Sequence, residues 1–115
     1  MIAQGEIYLV DFAKKYNSEI GKIRPAVILQ NDFFNRALEV SKYRSVLVVP
    51  LTTQEIQTEY KIEIPPRDRL EKRSFILATW LCTLDLNRIQ IDKGVITKLR
   101  PEELQALKAK ICDLM

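Results

Sequence analysis

Asn17-Ser18-Glu19-Ile20-Gly21-Lys22-Ile23-Arg24-Pro25 is a polar, basic segment set between two apolar runs, Ile7-Tyr8-Leu9-Val10 and Ala26-Val27-Ile28-Leu29. Two short apolar runs separated by a polar connector containing glycine read as two strands joined by a loop. Arg24 precedes a proline, which steers it away from helical backbone toward an extended conformation. Lys22 shares its parity, so both side chains would project to one side of an extended chain. Gly21 permits a turn with positive φ, and Ser18 and Glu19 add a hydroxyl and a carboxylate to the same loop.

Working outward, Gly5 to Phe12 reads as the first strand, with apolar groups on both parities, as in a central strand or a strongly coiled sheet. Ala26 to Gln30 reads as the second. Asn31 or Asp32 can cap a helical turn from Phe33 to Leu38. Ser45 to Thr53 is the most β-prone run, and Pro50 predicts that the strand ends, bulges or lies at an edge there. Thr52 then falls at a strand end, where its hydroxyl can meet a loop from another strand. Lys61 to Ile64 alternates like a strand with one wet face and is closed by Pro65-Pro66. Arg67 to Arg73 is a charged connector with room for one helical turn. Ser74 to Thr83 reads as one further strand, Leu84 to Ile89 as a corner, and Gly94 to Leu99 as a last short strand. Pro101 to Leu114 has proline at its first turn, two glutamates at the positive end of the dipole, and a stripe of Leu104, Leu107, Ile111 and Leu114, so it reads as a helix packed on the sheet.

About five to seven short strands and one terminal helix predict a mainly β fold, a small curled antiparallel barrel or partial barrel. The 115 residues fit one domain, taken as residues 1–115. An apolar fraction of 47% excludes disorder, and no run approaches the ~20 apolar residues that cross a bilayer, so a cytoplasmic protein is expected. Cys82 and Cys112 have no paired spacing and are read as small buried or half-buried side chains. There is no histidine, so the common zinc patterns and the commonest general base are both absent. The formal charge of +3 gives a mild lean toward an anionic partner.

Arg24 is the first candidate for chemistry, because its planar fork of donors can hold a phosphoryl group and stabilise charge developing on it. A solvated surface arginine is the alternative. Thr52 can donate to a phosphate oxygen with a direction fixed by its β-branch, or simply close a turn. Ser18, Glu19 and Lys22 can contact a nucleic-acid backbone or brace the loop. The remaining basic residues, Arg67, Arg69, Lys72, Arg73 and Arg88 among them, form either an RNA track or a solvated surface. Trp80 is read as core or interface packing in preference to a stacking platform.

Taken together, Gly5-Glu6-Ile7-Tyr8-Leu9-Val10-Asp11, Ser18-Glu19, Gly21-Lys22-Ile23-Arg24-Pro25, Gln30-Asn31-Asp32, Val48-Val49-Pro50-Leu51-Thr52, Ser74-Phe75-Ile76-Leu77 and Leu99-Arg100-Pro101-Glu102-Glu103-Leu104 resemble the MazF/PemK toxins of type II toxin-antitoxin modules. The resemblance spans nearly the whole chain. It implies an SH3-like barrel and a homodimeric, sequence-specific endoribonuclease that cuts single-stranded RNA by 2′-hydroxyl attack without a metal or other cofactor. Arg24 and Thr52 match the family's catalytic arginine and active-site threonine, and Ser18 matches a loop residue that helps bind RNA. The implied partner is an antitoxin with a disordered acidic C-terminal tail, and the toxin-antitoxin complex would reach operator DNA. One departure stands out: where family members often carry an acidic residue, a glutamine and an arginine, this chain has Thr79, Trp80 and Cys82. Cleavage then relies on Arg24 and Thr52 with Glu19 or another group, or the cut site is altered, or catalysis is weak. Two alternatives stay open, a CcdB-like inhibitor of DNA gyrase and a non-catalytic RNA-binding module.

Overall fold

The computed structural model describes residues 1–12 and 23–115. β1 (Glu6–Asp11) and β2 (Ile23–Ile28) pair antiparallel, with Ile7 opposite Val27 and Val10 opposite Arg24. The second strand therefore starts three residues before the expected Ala26. The extended backbone that Pro25 imposes on Arg24 joins the ladder instead of staying in the loop. A short helix, α1 (Asp32–Ala37), follows, and the Asn31 side chain accepts from the Phe34 amide as its cap.

β3 (Ser45–Thr52) is the hub of the sheet. It pairs with β2 on one side, and on the other with β5 (Ser74–Leu77) and β6 (Cys82–Asp85) in turn. β4 (Lys61–Ile64) flanks β5, and β7 (Thr97–Lys98) flanks β1. The strand order is β4-β5-β3-β2-β1-β7, an antiparallel sheet curled into a half-barrel.

Pro50 neither ends β3 nor puts it at an edge. β3 pairs with β6 through Val48 and with β5 from Leu51, so Val49 and Pro50 occupy the handover between the two partners. Leu29 N donates to Leu47 O, which makes alternate pairs in the β2–β3 register hydrogen-bonded and leaves Ala26–Pro50 a non-hydrogen-bonded pair. The proline's missing donor therefore faces away from β2, toward the handover. The expected continuous strand from Ser74 to Thr83 is likewise split: a 3₁₀ turn at Ala78–Trp80 separates β5 from β6. The last strand is confined to Thr97–Lys98, and the charged connector from Arg67 forms a tight turn rather than a helix, with Arg67 and Leu70 exchanging backbone hydrogen bonds.

Because side chains alternate along a strand, the central strands feed two separate cores. Ile7, Val27, Val49 and Leu51 point to one, and Tyr8, Ala26, Ile28 and Val48 to the other. The terminal helix, α2 (Pro101–Asp113), closes the first core with Leu107, which has no exposed surface, flanked by Leu104 and Ile111. Leu114, expected in the same stripe, is exposed, because it lies beyond the last helical turn. Cys82 is half-buried beside the second core, where burial pushes its thiol pKa up; Cys112 is exposed, contrary to the sequence reading, because it lies off the packed stripe of α2.

An ion pair fixes α2 to the β4–β5 connector. Arg67 grips Glu103 through bonds of 2.8 and 2.6 Å and also donates to Lys98 O. Glu103 accepts in addition from the Arg100 amide at the start of the helix. The Arg67 bonds hold the Glu103 carboxyl below the usual carboxylate range, and the same bonds push the guanidinium pKa up.

Candidate functional site

Arg24 and Thr52 arrive at one place from neighbouring strands. The β2–β3 ladder runs as far as Ala26 opposite Pro50, and Arg24 and Thr52 lie two residues beyond that last pair on their respective strands. Both residues line a cleft of about 670 Å³, together with Gln54, Ile56, Ser74 and Trp80.

Each polar group there has a definable state. Thr52 Oγ1 accepts from the Gln54 amide at 3.2 Å, and its own hydrogen has no acceptor among the described residues. Ser74 is buried and its hydroxyl donates to Lys72 O at 2.9 Å, so it is engaged in structure. Arg24 is half-buried, and among the described residues its buried Nε has no hydrogen-bond partner. What its guanidinium does meet is an aromatic face: its central carbon lies 5.5 Å from the centre of the Trp80 ring. No carboxylate among the described residues lines the cleft. Among the described residues the site thus offers a half-buried cation and a hydroxyl donor beside Ile56 and Trp80, a donor set suited to an anionic oxygen.

Of Thr79, Trp80 and Cys82, only Trp80 reaches this cleft; Thr79 is exposed and Cys82 lies in β6. Sequence reasoning assigned Trp80 to packing, yet it is half-buried at the site. The missed signal was the break between β5 and β6, since an uninterrupted strand would carry residue 80 along the ladder. Gln54 was also missed, because its contribution is a backbone amide, which side-chain chemistry does not advertise.

Ser18, Glu19 and Lys22, the other sequence candidates, lie outside the described residues. Among the described residues, three of the basic side chains are taken up by other contacts. Arg67 is committed to Glu103, Arg69 donates to Lys93 O and Val95 O, and Arg73 lies near Glu55 and Glu63. A smaller groove of about 270 Å³ adjoins the cleft through Pro25, Thr53 and Ser74 and is edged by Arg69 and Lys72. Among the described residues no group of three or more cysteines and carboxylates is arranged to hold a metal ion.

Residues 3–115 match the family described as PemK-like, MazF-like toxin of type II toxin-antitoxin system. A protein of Staphylococcus saprophyticus named Endoribonuclease MazF is 37% identical over 95 residues, spanning 78% of this chain and 73% of the relative. Among solved structures, MazF from Deinococcus radiodurans aligns with a TM-score of 0.76 at 16% identity, covering 98% of this chain and 94% of that one. A mycobacterial endoribonuclease in complex with its cognate antitoxin aligns with a TM-score of 0.73 at 18% identity, covering 98% and 93%. At these identities the structural likeness bears on the fold, and it agrees with the curled antiparallel sheet and terminal helix.

Proposed function

The chain belongs to the PemK-like, MazF-like toxins of type II toxin-antitoxin systems, and from that premise we propose that it is an endoribonuclease acting on single-stranded RNA at the cleft shared by Arg24 and Thr52. The observation that carries this reading is the meeting of those two side chains in one cleft with no described carboxylate to neutralise the arginine. A guanidinium with no described carboxylate beside it favours a phosphodiester, and in a half-buried site its attraction is stronger than in bulk water.

In the proposed reaction the ribose 2′-hydroxyl attacks the adjacent phosphorus, the bond to the 5′-oxygen breaks, and a 2′,3′-cyclic phosphate and a 5′-hydroxyl result. Negative charge grows on the non-bridging oxygens as the new bond forms. Arg24 stabilises that charge through its in-plane N–H donors, and Thr52 donates its free hydroxyl to the same phosphate. The positive charge comes from the guanidinium, so the reaction as proposed needs no divalent ion. Ser18, Glu19 and Lys22 would hold the RNA backbone from the segment before β2, with Glu19 the available carboxylate to take the 2′-hydroxyl proton and solvent water supplying the proton that the departing 5′-oxygen takes up. The physiological partner is proposed to be an antitoxin whose acidic tail competes for the basic cleft, with a homodimer as the working form in the cytoplasm and operator DNA reached only through the complex.

Purified protein incubated with single-stranded RNA in excess EDTA tests this directly. Fragments ending in cyclic phosphate and beginning with 5′-hydroxyl are expected. RNA left whole, or cut only after a divalent ion is restored, would count against the reading; whole RNA together with inhibited gyrase would replace it with the CcdB-like alternative.

A further inference from the structure

A cation used to stabilise a transition state has to be held still without spending the donors it needs. A carboxylate neighbour would fix Arg24 but would occupy its N–H groups, and none of the described lining residues supplies one. An aromatic face does the opposite. It attracts the guanidinium along the normal to its plane and leaves the in-plane donors open.

Trp80 supplies such a face beside Arg24. The Trp80 ring centre lies 5.5 Å from the guanidinium carbon, and both residues line the same cleft. The tryptophan is itself anchored, because it closes the 3₁₀ turn at Ala78–Trp80. Ala78 in that turn has no exposed surface, donates its amide to Tyr60 O at 2.9 Å and accepts from Leu81 N at 3.2 Å. The turn sits where β3 passes from β6 to β5, so the ring is carried by the sheet's hub and not by a free loop.

We propose that Trp80 is a positioning residue for Arg24: its indole face orients the guanidinium so that the outer donors stay open toward the cleft. This rests on the nuclease reading above.

Trp80 is the only tryptophan in the chain, so the contact has a readout separate from activity. The test compares wild type, Trp80→Phe and Trp80→Leu in steady-state RNA cleavage, and follows tryptophan emission in wild type and Arg24→Leu without RNA. Trp80→Leu should lower kcat on the order of fivefold to tenfold, with KM changed less than about twofold, and Trp80→Phe should recover most of the loss. Emission should change in intensity or wavelength when Arg24 is removed. Unchanged kcat in Trp80→Leu overturns the proposal, as does a Trp80→Phe enzyme as impaired as Trp80→Leu, or emission indifferent to Arg24. A rise in KM alone also overturns it, in favour of a platform that stacks an RNA base. Failure of the nuclease reading looks different, because the wild-type chain itself then leaves RNA whole, and the role in cleavage falls with it.

Discussion

Arg24 and Thr52 belong to adjacent antiparallel strands and line one cleft just past the last β2–β3 pair, the arginine half-buried and the threonine hydroxyl held by the Gln54 amide. Their placement follows from the β2–β3 register, which is set by two apolar faces buried in two different cores. A slip of one residue would exchange those faces, so the geometry of the site is protected by the packing of Val27, Val49, Ile28 and Val48.

Arg24→Ala should reduce RNA cleavage about 10²- to 10³-fold, the effect of deleting one preorganised donor to a developing charge. Arg24→Lys should recover little of it, since an ammonium lacks the planar fork and stacks poorly on Trp80. Single-turnover cleavage measures the loss, and circular dichroism should show a wild-type fold in both variants. Cleavage at the wild-type rate by Arg24→Ala would remove the arginine from the mechanism.

Thr52→Val keeps the shape of the side chain and deletes the hydroxyl. Cleavage should fall by roughly tenfold or more, while Thr52→Ser should stay within a few-fold of wild type because the donor is retained. The comparison is made at saturating RNA, where orientation of the phosphate appears in kcat. Equal activity of the valine and serine variants would make Thr52 a packing residue.

Arg67→Ala should lower stability by about 3 kcal/mol in urea unfolding, because it strands the Glu103 carboxylate in a largely desolvated site. The two side chains retain only 14% of their accessible surface each, and the bonds are 2.8 and 2.6 Å. The double variant Arg67→Met with Glu103→Leu should regain much of the loss, since two apolar side chains leave no uncompensated charge. Loss in the double variant equal to the sum of the two single losses would show that the pair does not act as a unit.

The same pair sets a pH dependence. Glu103 has its carboxyl pKa lowered in the folded state by Arg67, so the unfolded chain takes up its proton first as the pH drops. The contribution is complete above the ordinary glutamate pKa of about 4.3 and disappears as the pH falls through the lower folded value. Urea unfolding followed downward from pH 6 should show this acid loss of stability, and Glu103→Gln should have a shallower slope. An identical slope in that variant would assign the acid sensitivity to other carboxylates.

Much of this protein was legible in one dimension. Short apolar, β-prone runs marked β1 and β3 and alternation marked β4, the Asn31 cap and the Pro101-Glu102-Glu103 start marked both helices, and Arg24-Pro25 marked an extended arginine; each signal acts between neighbours in the chain, which is why sequence carries it. What neighbours do not decide was settled by folding. Pro50 remains within β3 because its missing donor faces the handover from β6 to β5, and Trp80 comes beneath Arg24 because the chain breaks into a 3₁₀ turn at that handover. Arg67, one basic residue among many in sequence, becomes the partner of a glutamate on α2. These contacts join segments far apart along the chain, and their energies depend on burial and register, which exist only once the sheet has curled and the terminal helix has closed over it.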